Sequence, residues 1–148
     1  MASIVNWNIR GLRANFSELQ ILISDHQPVA ICLQELLISQ QYQFCNRHYS
    51  IITKLPDLDP DARPSGGVGI LIRKDTPYSN LPINSSLQAV ACRISIPNPV
   101  TICSVYLPPT STWNHLDLLD LLNQLPHPVL LMGDFNAHSA LWGCTSTN

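Results

Sequence analysis

Between residues 3 and 35 the hydrophobic period of the chain changes twice, and that change narrows the choice of fold more than any other feature. Residues 3–9 alternate and carry β-branched side chains until Arg10-Gly11-Leu12 breaks the pattern, which predicts a first strand ending at Asn8 with Asn6 and Asn8 on one face. From Gly11 onward Leu12, Phe16, Leu19 and Ile23 recur at helical spacing, with Arg13, Asn15, Glu18 and Gln20 largely elsewhere. The spacing predicts an amphipathic helix closed before Pro28. Residues 29–35 then form a near-continuous apolar run ending in Gln34-Glu35, the pattern of a strand buried on both faces. Strand, helix, strand implies a crossover between parallel neighbours, and it places Asn8 and Glu35 at the same edge of a sheet.

The rest of the chain adds strands in pairs. Residues 49–54 predict a short strand, and the prolines and aspartates of residues 56–64 a solvated loop. The spaced Asp57, Asp59 and Asp61 lack the glycine and closing glutamate of a calcium loop, whose places hold Ala62 and Val68. Ser65-Gly66-Gly67-Val68-Gly69 is followed by a strand and not by a helix, so it reads as a flexible strand entry and not as a phosphate cradle. Residues 87–96 and 100–107 alternate around Pro97-Asn98-Pro99, a predicted hairpin. Ser111 or Thr112 is the predicted cap of a helix running to Leu125, with Leu118, Leu119, Leu121, Leu122 and Leu125 as its apolar face. Residues 129–132 predict a final buried strand that stops at Gly133-Asp134-Phe135-Asn136.

At 148 residues the chain predicts one domain, residues 1–148, burying roughly 70% of the surface its unfolded chain exposes. Only 12% of residues are charged and the net charge is −2, so no basic footprint advertises strong non-specific attraction to a nucleic-acid backbone. Any phosphate binding must be local. Five cysteines without regular spacing, three inside predicted strands, favour free buried thiols in a reducing compartment. No basic and apolar leader and no apolar run near the ~18 residues of a spanning helix is present, which predicts an intracellular protein, nuclear or cytoplasmic, without a membrane partner.

Asn8, Glu35, Tyr106, Asp134 and Asn136 each stand at or just beyond a predicted strand end. Singly, each has an ordinary explanation: asparagine is a common turn former, and a tyrosine at a strand end usually packs with its hydroxyl wet. Together they form a set of hard oxygen donors of the kind magnesium accepts, one or two carboxylates with room for water and a substrate phosphate. A carboxylate can take a proton from an attacking water, a phenol can donate to a phosphoryl oxygen as charge develops, and a carboxamide can orient the water or phosphate. Phosphoester hydrolysis uses all of them. His138 is a further candidate for lining the site.

Residues 3–13 (Ser-Ile-Val-Asn-Trp-Asn-Ile-Arg-Gly-Leu-Arg), Ile31-Cys32-Leu33-Gln34-Glu35, Ser65-Gly66-Gly67-Val68-Gly69-Ile70, Val105-Tyr106-Leu107-Pro108 and Gly133-Asp134-Phe135-Asn136-Ala137-His138 resemble, in order, the motifs of the endonuclease/exonuclease/phosphatase superfamily. Asn8-Ile9-Arg10-Gly11-Leu12, Tyr106-Leu107-Pro108-Pro109 and the ending Asn-Ala-His-Ser-Ala-Leu-Trp-Gly are most similar to the endonuclease domain of a jockey-like non-LTR retrotransposon. The resemblance implies an α/β (α+β) fold, a two-sheet β-sandwich flanked by helices in four layers like deoxyribonuclease I. It implies a Mg2+ or Mn2+ ion held by Asn8 and Glu35, with Tyr106 at the phosphate and Asp134 and Asn136 at the attacking water. It also implies a DNA substrate, nicked to prime reverse transcription, and no organic cofactor.

Two departures qualify the match. Arg10 stands where apurinic-site repair members carry an acidic residue, a change that the retrotransposon branch tolerates. Members of the superfamily also continue to a Ser-Asp-His run whose histidine contacts the scissile phosphate, so the resemblance implies a domain that is incomplete at its C-terminus, with about the last third lacking. The tripeptide Ser24-Asp25-His26 lies at the end of the first predicted helix, far from that family position. A phosphoesterase of the same superfamily acting on another substrate, and a truncated inactive copy, are the alternatives.

Overall fold

The computed structural model describes residues 2–138 together with 141, 144 and 145. In chain order its elements are β1 (Ile4–Asn8), α1 (Phe16–His26), β2 (Ala30–Gln34), β3 (Tyr49–Lys54), β4 (Val68–Arg73), β5 (Tyr78–Leu81), β6 (Gln88–Ser95), β7 (Pro99–Tyr106), α2 (His115–Asn123) and β8 (Val129–Asp134). Two four-stranded sheets form, in the orders β1-β2-β4-β3 and β5-β6-β7-β8. The predicted crossover is present: β1 and β2 are parallel, with Asn8 opposite Gln34. A second crossover through α2 makes β7 and β8 parallel, with Tyr106 opposite Asp134. Every other pairing is antiparallel.

Strand parity explains the layering. In β2, Ala30 and Cys32 face the second sheet while Ile31 and Leu33 face Leu19 and Ile23 of α1. In β6 and β7, Cys92, Ile94 and Ile102 meet the first sheet, whereas Ala89, Ala91, Cys103 and Val105 meet Leu121 and Leu125. The result is helix, sheet, sheet, helix, the four-layer sandwich expected. β2 needs apolar residues at every position because both of its faces are covered, which is the origin of the continuous run in the sequence.

The structure departs from the sequence expectations at several places, among them β5, a strand not expected from the sequence. α1 begins at Phe16 and not at Gly11, because the Asn15 amide is committed to the Ile9 carbonyl at 2.6 Å and the preceding residues turn; Leu12 is nonetheless fully buried. Ser111 does not cap α2: its hydroxyl and backbone N–H both donate to the Pro108 carbonyl, at 2.6 and 2.9 Å, and close a turn. Asn114 is the cap, accepting from Leu116 and Asp117 N–H groups while Asp117 accepts from the Asn114 N–H in return. Leu119 is half exposed, so the apolar face of α2 is narrower than its leucines predict. β8 is an edge strand and only partly covered, with Leu130 39% exposed, where a buried strand is expected.

The segment before β4 is held and not loose. The Gly66 and Gly67 carbonyls accept from Leu37 and Leu36 N–H at 3.0 and 3.1 Å, and the Gly67 N–H donates to Gln88 Oε1 at 2.7 Å. Both glycines have positive φ, +57° and +88°, and a side chain on Gly66 would meet the Gln88 amide. Among the described residues no helix is long and apolar enough to cross a membrane.

Candidate active site

β1, β2, β7 and β8 all end at the same end of the sandwich, where the edges of the two sheets meet. One amide group joins them. Asn8 Nδ2 donates to Glu35 Oε1 at 2.9 Å within the first sheet and to Asp134 Oδ2 at 2.6 Å across to the second. Two carboxylates brought together without a cation would repel, and the Asn8 amide hydrogens lie between them as partial positive charge. Asn8 Oδ1 accepts from the Arg10 N–H at 3.2 Å, which fixes which way the carboxamide faces.

Glu35 reaches this place through a left-handed backbone, φ +53°, a conformation that costs a non-glycine residue about 1 to 3 kcal/mol. Its carbonyl accepts from the Gly11 N–H at 2.8 Å, and the following Leu36 is bonded to Gly67, so the strain is held from both sides. Arg10, Leu37 and Asn136 are also left-handed, at +49°, +50° and +44°. Among the described residues, four of the five non-glycine residues with positive φ thus surround one end of the sandwich, and the fifth, Gln27, caps α1 at the other.

Tyr106 is the last residue of β7 and is 8% exposed. Burial, then the charge of Glu35 and a hydrogen bond to it, then the charge of Asp134, push its phenol up to about 12. It is therefore a neutral donor across the whole physiological range. Asn136 receives its orientation from two sides: its N–H donates to Asp134 Oδ1 at 2.9 Å and its side-chain amide to the Leu107 carbonyl at 2.9 Å. Asn8, Asp134, Asn136 and His138 line one open cavity of about 750 Å³. All five residues expected at the site, and His138 beside them, thus lie at one end of the fold. His26 ends α1 ahead of β2, at the opposite end from Glu35.

The donor set suits a hard cation. Glu35 and Asp134 supply two carboxylates, which with substrate and water oxygens match magnesium, and Asn8 can add its own oxygen by turning the amide that faces them. Among the described residues no three of His, Cys, Asp and Glu stand together as an all-protein cage. Cys45 and His48 line a cavity beside Arg73 and Lys74, apart from the one lined by His138 and Cys144.

The endonuclease/exonuclease/phosphatase family matches residues 5–148. The chain belongs to that family. As a family member it is 28% identical over 148 residues to an RNA-directed DNA polymerase from mobile element jockey of Drosophila melanogaster, and 26% identical to its counterpart in Drosophila funebris. In both comparisons the match covers 93% of this chain, which spans about 15% of the relative's length. Solved structures share the fold of this member. The endonuclease domain of TRAS1, a telomere-specific non-LTR retrotransposon, has a TM-score of 0.65 at 17% identity, covering 97% of this chain and 64% of that one. A 3′ phosphatase from Neisseria, bound to a product DNA hairpin, also has a TM-score of 0.65, at 20% identity, covering 90% and 57%.

Sequence reasoning missed four residues near the site. Gln34, Asn6 and Ser104 form a hydrogen-bonded chain beneath it, signalled only by an amide inside an otherwise apolar run. Trp113, 39% exposed, lines both the site cavity and a smaller one beside Tyr106, and nothing in its sequence setting marks it.

Proposed function

We propose that this chain is the DNA-cutting part of a non-LTR retrotransposon protein, hydrolysing one phosphodiester of a target strand with the help of Mg2+ or Mn2+. The observation that carries the reading is the single Asn8 amide holding Glu35 and Asp134 together across the two sheets, with the neutral Tyr106 phenol beside them. Glu35 and Asn8 would hold the ion. A divalent cation there supplies charge that polarises a phosphoryl oxygen and stabilises the departing one.

The residues divide the remaining work. Asp134 takes a proton from the attacking water, and Asn136, its plane fixed by Leu107, orients that water. The water oxygen bonds to phosphorus as the bond to the 3′ oxygen breaks, and the departing 3′ oxygen takes a proton from solvent water, so the cut strand ends in a 3′ hydroxyl and a 5′ phosphate. Tyr106 donates its proton in a hydrogen bond to a non-bridging oxygen, an interaction that strengthens as negative charge accumulates there. A 3′ hydroxyl is the end a reverse transcriptase extends, which fits the polymerase relatives.

Nicking of supercoiled plasmid by the purified chain with magnesium tests the reading, beside Glu35→Ala and Asp134→Ala. Metal-dependent nicking lost in both variants is the expected result. A folded chain that leaves plasmid intact but releases phosphate from a 3′-phosphorylated oligonucleotide would instead make it a phosphomonoesterase. A folded chain inactive on both substrates would make it an inactive copy.

A further inference from the structure

One layer below the site a second chain of polar groups crosses the sandwich. Gln34 Nε2 donates to Asn6 Oδ1 at 2.9 Å and to Ser104 Oγ at 3.1 Å; Ser104 Oγ donates to the Leu33 carbonyl at 3.3 Å, and Asn6 Nδ2 to the Gly133 carbonyl at 3.4 Å. These contacts join β7, β2, β1 and β8, the four strands that deliver Tyr106, Glu35, Asn8 and Asp134. Each member lies one or two residues before a site residue on its own strand. Asn6 uses its nitrogen on Gly133, so its oxygen faces Gln34, and the Gln34 nitrogen must be the atom that answers it.

That arrangement leaves Gln34 Oε1 buried without a partner among the described residues, on a side chain with no exposure at all. An unpaired buried carbonyl opposes folding. A leucine would pack in its place without that cost, and natural proteins keep such costs chiefly at working sites. From this we infer that the Ser104, Gln34 and Asn6 layer is a positioning device that sets the spacing of Glu35 and Asp134, with Gln34 as its centre. The inference rests on the phosphodiesterase reading of the site above it.

Gln34→Leu separates this role from a merely structural one. It removes the orphaned oxygen and creates no other, because Asn6 is exposed enough for water to replace the lost donor and Ser104 keeps the Leu33 carbonyl. The variant should melt at or above the parental temperature, yet kcat for nicking should fall by about 10- to 100-fold with KM nearly unchanged, as expected when reacting groups are misplaced by up to about 1 Å. Asn6→Ala, on the exposed side of the layer, should lower kcat in the same direction with little change in melting. A readout independent of turnover is the NMR signal of the Asn8 side-chain amide, which should shift in Gln34→Leu as its bonds to Glu35 and Asp134 loosen.

Parental kcat with an unmoved Asn8 amide signal would overturn the inference, as would a fall in activity matched by a fall in stability. If the parent cuts no phosphodiester, the functional reading fails while the Asn8 signal still tests the layer.

Discussion

Gly133→Ala is the smallest change that should separate the two halves of the site. Gly133 lies within β8 opposite Val105, one residue before Asp134. A Cβ at this position would overlap the Val105 carbonyl oxygen and stand 2.9 Å from the carbonyl carbon, and neither can swing aside because both are main chain. The oxygen lies nearer than the carbon and must retreat to about 3.0 to 3.4 Å, so β8 must move off β7 by roughly 1.0 to 1.4 Å. The Asn8 to Asp134 hydrogen bond, 2.6 Å in the parent, is carried to about 3.6 to 4.0 Å, beyond the range of a sound N–H···O bond.

Overpacking of this kind costs about 1 to 3 kcal/mol. At roughly 2 to 4 °C per kcal/mol, melting should fall by about 2 to 12 °C. Misplacement on this scale should lower nicking by about 100-fold. Circular dichroism melts and single-turnover plasmid nicking, run at a temperature where the variant is fully folded, read the two effects separately. A variant that melts and cuts like its parent would refute the claim that backbone contact at Val105 sets the place of Asp134.

Tyr106 has a raised pKa, so the folded protein keeps the phenol proton where the unfolded chain would lose it; stability from this group is complete below about pH 10 and is lost as pH rises toward 12. Absorbance titration should show one tyrosine ionising near pH 12 that is absent from Tyr106→Phe, and nicking by that variant should drop at neutral pH without a change in the pH profile's alkaline limb below pH 9. Burial pushes the Cys92 and Cys103 thiols up to about 12 and the Cys32 thiol higher still, so at neutral pH iodoacetamide should modify exposed Cys45 quickly and these three only after denaturation. Rapid labelling of Cys103 in the folded chain would contradict its packing from β7 against Leu121 and Leu125. Asn114→Ala removes the acceptor for two helix N–H groups and should destabilise the chain by about 1 kcal/mol in urea melts, whereas Ser111→Ala should not weaken the cap.

The parts of this molecule legible from sequence are those where one physical demand fixes the residue type. β2 is covered on both faces, so its run is apolar throughout; the three strand cysteines are buried because they sit in such runs. Asn8, Glu35, Tyr106 and Asp134 could be collected because each stands at or just beyond the end of a readable strand, and topology then brings the ends together. Legibility failed where local and distant partners compete for the same group. Ser111 is a good cap by type, but its hydroxyl donates to Pro108 in a turn ahead of the helix, and Asn15 stands at the cap position of α1 with its side chain turned to the Ile9 carbonyl, making no capping bond. Gly133 reads as a turn former, yet it is required by the approach of Val105, 28 positions earlier in the chain. The covering of β8 depends on which strands lie beside it, a property no stretch of residues 129–134 contains.

The order of the strands has one more consequence. The first sheet, with α1, is made entirely from residues up to Arg73, and the second, with α2, from Tyr78 onward. Asn8 and Glu35 therefore come from one half of the chain and Tyr106, Asp134 and Asn136 from the other, and the Asn8 to Asp134 contact closes a span of 126 residues. A ribosome releasing this chain completes the carboxylate pair only when residue 134 has emerged, so every shorter nascent product lacks half the chemistry. The same division marks the short connector at residues 74–77 as a natural severing point: two separately made halves, mixed, should regenerate cutting only in proportion to their docking.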